Sequence, residues 1–139
     1  MKPFLIIVFT LTFMQSFSQD FKDYQWKNRV LIVSTNNEKG IEFQKQINLL
    51  ENLDQELKER KLIVYQIIDN KYKLNFTESY KLLNSSSKKY VSTKDGLQVL
   101  LIGLDGGIKL KQNSILTAEK LFAIIDGMPM RKRELRKNR

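Results

Sequence analysis

The chain has 139 residues, a 42% apolar fraction, a formal net charge of +9, and neither cysteine nor histidine. Length and apolar content suit one domain with one core. The two missing residue types exclude thiol redox chemistry, cysteine nucleophiles, serine–histidine triads, histidine bases and every common zinc ligand except carboxylates. The positive charge is concentrated at the end: Arg131 to Arg139 holds six basic residues against the single acid Glu134, so the body from 19 to 130 is close to balanced.

Residues 1–18 read as a signal peptide. Lys2 gives the positive start, Phe4 to Met14 an apolar run of eleven residues, and Ser16-Phe17-Ser18 a small-residue cleavage region before Gln19. The run is far shorter than the roughly 20 residues of a spanning helix, and no cysteine follows it to carry a lipid. The expectation is an exported chain, periplasmic or secreted, with no transmembrane segment after cleavage. Residues 19–28 form a polar-aromatic arm whose Phe21, Tyr24 and Trp26 pack on the domain edge.

The domain proper is expected over 29–130. Arg29-Val30-Leu31-Ile32-Val33-Ser34 is a short, β-branched apolar run, which predicts a strand buried on both faces. Thr35-Asn36-Asn37 predicts a turn or helix cap. From Gly40 to Arg60, Phe43, Ile47, Leu50, Leu53 and Leu57 recur every three or four positions, the apolar face of one amphipathic helix. Leu62 to Ile68 predicts a second buried strand, parallel to the first because a helix joins them. Asn70 to Asn75 is polar, Thr77 to Asn84 predicts a short helix, and Ser85 to Lys89 a loop. Leu97 to Leu104 predicts a third buried strand, Asp105-Gly106-Gly107 a hairpin turn, and Ile108 to Leu110 a fourth strand. Thr117 caps a helix bearing Leu121, Phe122, Ile124, Ile125 and Met128. Gly127 fits a left-handed helix end and Pro129 blocks continuation. Residues 131–139 form a basic tail, frayed or helical.

The predicted order is β-α-β-α-β-β-α, a parallel βαβ unit followed by ββα. It specifies an α/β fold with a mixed four-stranded sheet and helices on both faces. This is the order of a thioredoxin-like three-layer sandwich. Thioredoxin-like enzymes keep their thiol where the first strand meets the first helix, and a cis-proline before the third strand. Here those places read Ser34-Thr35-Asn36-Asn37-Glu38-Lys39 and Tyr90-Val91-Ser92-Thr93-Lys94-Asp95-Gly96, with no cysteine and no proline.

Leu101 to Leu110, followed by Ile125-Asp126-Gly127-Met128-Pro129-Met130-Arg131-Lys132-Arg133-Glu134, resembles an uncharacterised bacterial family, domain of unknown function 4174. Trp26 to Leu31 resembles the same family's approach to its first strand. The resemblance spans about 24–136 and implies a small exported thioredoxin-like protein. It carries over no activity. Leu104 and Leu135 depart from the family pattern, which often has a polar residue and a methionine there.

Several residues are candidates for function. Arg131 and Arg133 can form an anion-binding fork for phosphate or carboxylate; alternatively Arg131 pairs with Asp126 or with helix-end carbonyls to lock the C-terminus. Met128 packs in the core, or Met128 and Met130 give an exposed, adaptable Met-Pro-Met contact for a partner. Lys109 is a solvated strand residue or a binding cation. Asp105, Gly106 and Gly107 are explained by turn chemistry without a metal. Thr35 and Asn36 stand where the cysteine is missing, as a helix cap or a contact. The basic tail solubilises the chain or meets anionic lipid headgroups or proteins; nucleic acid fits poorly with export. The expectation is a redox-inactive binding module for a protein or anionic partner, without cofactor or metal. The alternative is a non-thiol enzyme whose anionic substrate is held by the C-terminal arginines.

Overall fold

A computed structural model describes residues 21–91 and 96–138. The expected signal peptide over 1–18 lies outside the described residues, as do 92–95 of the segment before the third expected strand.

Strands β1 (Arg29–Thr35) and β2 (Leu62–Ile68) are parallel, in register from Arg29 opposite Leu62 to Thr35 opposite Ile68. Every residue of β1 is buried, as its unbroken apolar run requires. The crossover is two helices, not one: α1 (Ile41–Glu51) and α2 (Asp54–Glu59). The break falls at Asn52-Leu53, where Leu53 N–H bonds back only three residues to Leu50. Asn52 and Asp54 are side chains that compete with helical backbone hydrogen bonds. Leu50 and Leu57 stay buried on either side of the break, so the apolar periodicity survives while the helix axis does not.

The segment after β2 departs most from expectation. Lys71–Leu74 is strand β3 and Lys81–Leu82 is strand β4, where polar loop and a short helix are expected. Asp69, with φ 54°, turns β2 into β3, a conformation that aspartate tolerates better than most residues. Residues 85–90 are a 3-10 helix. Strand β5 (Gln98–Ile102) runs antiparallel to β1, and β6 (Ile108–Gln112) antiparallel to β5. The sheet therefore has six strands, in the order β4-β3-β2-β1-β5-β6. Four contiguous strands, β2-β1-β5-β6, are the expected unit, and β3 and β4 extend it beyond β2.

Alternation along the strands divides the core. Leu31, Val33, Val64 and Leu101 face Phe43, Ile47 and Leu50 of α1, Leu57 of α2, and Leu121 and Ile125 of α3 (Ala118–Asp126). Val30, Ile32, Tyr65, Ile67 and Leu100 face Phe21, Tyr24, Tyr72 and Leu83. All the α-helices in the core so far named cover the first face. The second is covered by the arm's 3-10 helix (Phe21–Tyr24), by Leu83 just after β4 and by the 3-10 helix at 85–90, not by a second α-helical layer. Phe21 meets Tyr65 edge-on at 4.8 Å, and the Tyr65 hydroxyl donates to Tyr24 at 2.9 Å. Trp26 does not join them and is 64% exposed.

At the C-terminus, Thr117 caps α3 as expected, accepting from the Lys120 N–H. Gly127 is not left-handed: its φ is −79°. Pro129 does not end the helical region but opens α4 (Pro129–Lys137) at its first position, where a missing N–H costs nothing. The stretch expected as a separate tail from 131 is thus most of a helix that starts before it.

Candidate functional site

The cleft where β1 runs towards α1 has a volume of about 510 Å³ and is lined by Thr35, Asn36, Asn37, Ile41, Phe43 and Leu97 among others. Three short contacts shape its floor. The Asn37 N–H donates to Thr35 Oγ1 at 3.1 Å, the Lys39 N–H to Asn37 Oδ1 at 3.1 Å, and the Gly40 N–H to the Asn37 carbonyl at 3.0 Å. Thr35 is therefore a turn residue and not the helix cap; the cap position of α1 is Gly40, with no side-chain hydrogen bond. A Cβ at Gly40 would stand 3.1 Å from the Asn37 carbonyl, tight enough to favour glycine there. Thr35 is buried, Asn36 is exposed at the rim, and Ile41 is 72% exposed. Among the described residues Glu42 is the single ionisable one in this lining. Such a surface binds through amide hydrogen bonds and apolar contact. Among the described residues it holds no nucleophile–base pair.

The Asp105-Gly106-Gly107 turn forms as expected. Gly106 has φ 81°, and the Gly107 N–H donates to Asp105 Oδ1 at 2.9 Å. Lys109 is not simply solvated: its Nζ donates to Asp105 Oδ2 at 2.9 Å. That contact, followed by the Gly107 N–H, holds the Asp105 carboxyl below its ordinary pKa.

The C-terminal arginines belong to an ion-pair cluster that ties α4 to the body. Arg131 is 2% exposed. Its Nε donates to Asp126 Oδ1 at 3.2 Å, its Nη2 to Glu59 Oε1 at 3.2 Å, and its Nη1 to the Glu59 carbonyl at 3.1 Å and to Glu134 Oε2 at 3.4 Å. All three nitrogens are engaged by the protein, so Arg131 presents no fork to a substrate. Burial acts against its charge, but Asp126, Glu59 and Glu134 outweigh it and hold the guanidinium more firmly protonated. Arg133 points elsewhere: it is exposed on α4 with Lys132, Arg136 and Lys137. The structure therefore separates Arg131 and Arg133, which sequence reasoning had joined. Pro129 is exposed, and Met128 and Met130 are half-buried beside it, with Met128 packed against the main core.

One charged residue escaped the sequence reading. Arg29, at the head of β1, has a side chain with no solvent exposure. Its Nη1 donates to the Arg60 carbonyl at 2.8 Å and to Glu134 at 3.3 Å. The only signal in the sequence was a cation fused to an otherwise apolar strand.

Among the described residues no three His, Cys, Asp or Glu side chains gather where they would hold a metal ion, and no helix is long and apolar enough to cross a membrane. The sheet order, the parallel βαβ unit and the cleft at the end of β1 together define a thioredoxin-like protein that lacks a thiol site. Its similarity to the crystal structure of reduced Plasmodium vivax 2-Cys peroxiredoxin is one of fold: the TM-score is 0.58 at 14% identity, over 81% of this chain and 84% of that one. The chain belongs to the family named Domain of unknown function (DUF4174), whose profile matches residues 20–134. No curated protein sequence matches it.

Proposed function

We propose that the chain is an exported, redox-inactive binding module for a protein or anionic partner, with the cleft at the end of β1 as its protein-contact surface. The observation that carries this reading is the cleft's lining. The fold places a concave surface of ligand-binding size there, and fills it with Thr35, Asn36, Asn37, Ile41 and Phe43 where a thiol enzyme needs a reactive sulfur. Export is supported by the pattern of residues 1–18 alone. An anionic partner is supported by the cationic outer side of α4, where Lys132, Arg133, Arg136 and Lys137 are exposed while Arg131 and Glu134 face the body. The enzyme alternative is weakened because the arginine it needs, Arg131, is taken up by three carboxylates.

The test has two parts. The purified chain is assayed for insulin reduction and peroxide turnover, with no activity expected. Tagged wild type and Ile41→Glu are then used for affinity capture from the producing cell's extract. A partner retained by wild type and lost with Ile41→Glu supports the reading. Measurable thiol-independent turnover, or identical capture by both chains, overturns it.

A further inference from the structure

A second concavity lies between the Asp105-Gly106-Gly107 turn and the start of α4. It has a volume of about 470 Å³, with apolar walls from Leu104, Ile124, Met128, Pro129 and Met130. Its charged groups are Arg29, Asp105 and Lys109. Lys109 and Asp105 are paired with each other, whereas Arg29 meets its carboxylate, Glu134, through Nη1 alone.

The state of Arg29 is unusual. Nη1 is satisfied, but Nε and Nη2 are shielded from solvent and have no hydrogen-bond partner. These two nitrogens lie on the same edge of the guanidinium, and their N–H groups are the parallel pair that grips both oxygens of one carboxylate. Buried polar groups are nearly always satisfied, and an orphaned charged donor is costly. A whole unsatisfied edge is the imprint of a bidentate acceptor. The start of α4 adds to this independently. The nine-residue helix has no acid in its first turn and no side-chain cap at Met128, so its positive end is uncompensated and favours an anion.

We propose that this groove binds a small aliphatic carboxylate, with the carboxyl group on the Nε–Nη2 edge of Arg29 and the alkyl chain between Leu104, Ile124 and the two methionines. With Asp105 and Lys109 paired to each other, Arg29 and the start of α4 set the polarity: carboxyl group towards Arg29, alkyl chain along the apolar wall. Because Nε and Nη2 do not touch solvent, entry requires a wall side chain to move. Met128 and Met130 are half-buried, unbranched and suited to it. This site is separate from the cleft at the end of β1 and does not depend on it.

The test is an NMR titration of the ¹⁵N-labelled chain with hexanoate, hexanamide and inorganic phosphate. Hexanoate is expected to shift the Arg29 Nε–H and the Met130 and Arg131 backbone N–H resonances saturably, with the other two probes at least tenfold weaker. Equal response to all three, or shifts confined to exposed lysines, overturns the proposal. Arg29→Lys removes the edge but risks the fold, so Met130→Trp, which fills the groove from a half-buried position, is measured beside it. Hexanoate affinity should fall at least tenfold in Met130→Trp; unchanged affinity contradicts the assignment.

Discussion

Arg60 and Asp126, 66 positions apart, form a two-bond fork: Arg60 Nε donates to Asp126 Oδ1 and Nη2 to Oδ2, both at 3.1 Å. The fork joins the residue that ends α2 to the last residue of α3. Arg60 also stacks 4.0 Å over the Phe122 ring, so its position is fixed by packing as well as charge. Arg131 approaches the same carboxylate from α4. One acid thus holds three helices together, and it does so with the aspartate and arginine of the Ile-Asp-Gly-Met-Pro-Met-Arg segment.

Neutralising that acid should be felt at neutral pH and not in acid. Burial raises the Asp126 pKa, but the hydrogen bonds from Arg60 and then Arg131 outweigh it and hold the carboxyl below its ordinary 3.8. The folded state therefore binds fewer protons than the unfolded state in this range. The stabilisation is fully present above about pH 4 and is lost as pH falls through the folded value. Asp126→Asn is expected to cost about 1–2 kcal/mol at pH 7, moderated because the carboxylate is partly exposed. Urea unfolding followed from pH 7 down to about pH 2 checks this; a deficit that does not shrink as the pH falls would contradict it.

The C-terminal helix carries two kinds of charge. Deleting 129–139 takes Glu134 from Arg29 and Arg131 from Asp126, and should destabilise the fold by about 3 kcal/mol or more. Replacing Lys132, Arg133, Arg136 and Lys137 with glutamine leaves those pairs intact and should change stability by less than about 0.5 kcal/mol. The same fourfold variant should lose any binding to anionic vesicles that the wild-type chain shows in co-sedimentation. Thermal unfolding separates the effects. A deletion without loss of stability would refute the structural role of Arg131 and Glu134.

Gln46 is fully buried in α1 and closes a reciprocal pair with one backbone unit: its Nε2 donates to the Leu116 carbonyl at 3.1 Å, and the Leu116 N–H donates to its Oε1 at 2.7 Å. Gln46→Ala removes both and orphans two buried backbone groups. A loss of about 2–4 kcal/mol is expected, read from the denaturant midpoint at constant slope. A loss under about 1 kcal/mol would show that the segment before α3 is held by other means.

Trp26 is the only tryptophan and is 64% exposed, with φ 68°. Native emission should lie close to that of the unfolded chain, making tryptophan fluorescence a poor unfolding probe. Left-handed backbone costs a non-glycine residue about 1–2 kcal/mol, so Trp26→Gly should be neutral to stabilising in thermal unfolding. A strongly blue-shifted native emission would contradict this placement.

Sequence patterning revealed the parts of the fold that are buried on both sides. β1, β2 and β5 are continuous apolar runs, and a run of that kind has few alternatives. Strand β3, Lys71-Tyr72-Lys73-Leu74, escaped because it is short and lysine-rich, the composition of a strand near a sheet's edge. The two-residue β4 has both side chains exposed and carries no pattern at all. The break between α1 and α2 was hidden because Leu50, Leu53 and Leu57 keep helical spacing across it. Gly127 and Pro129 were read as a stop, yet proline equally opens a helix, and only the packing of Arg131 against Glu59 and Asp126 decides which. Of the candidate site, Thr35 and Asn36 could be placed from the element order. Arg29 could not, since its role depends on Glu134, 105 positions away.

The proposed meeting place of this chain and its partner, the cleft at the end of β1, is open to crosslinking. A photo-crosslinking residue is placed at Ile41, exposed on the cleft, and separately at Leu82, 81% exposed on β4 at the sheet's edge. A discrete crosslinked product is expected from position 41 in the producing cell, absent from position 82. The same product from both positions, or a product from position 82 alone, would contradict it.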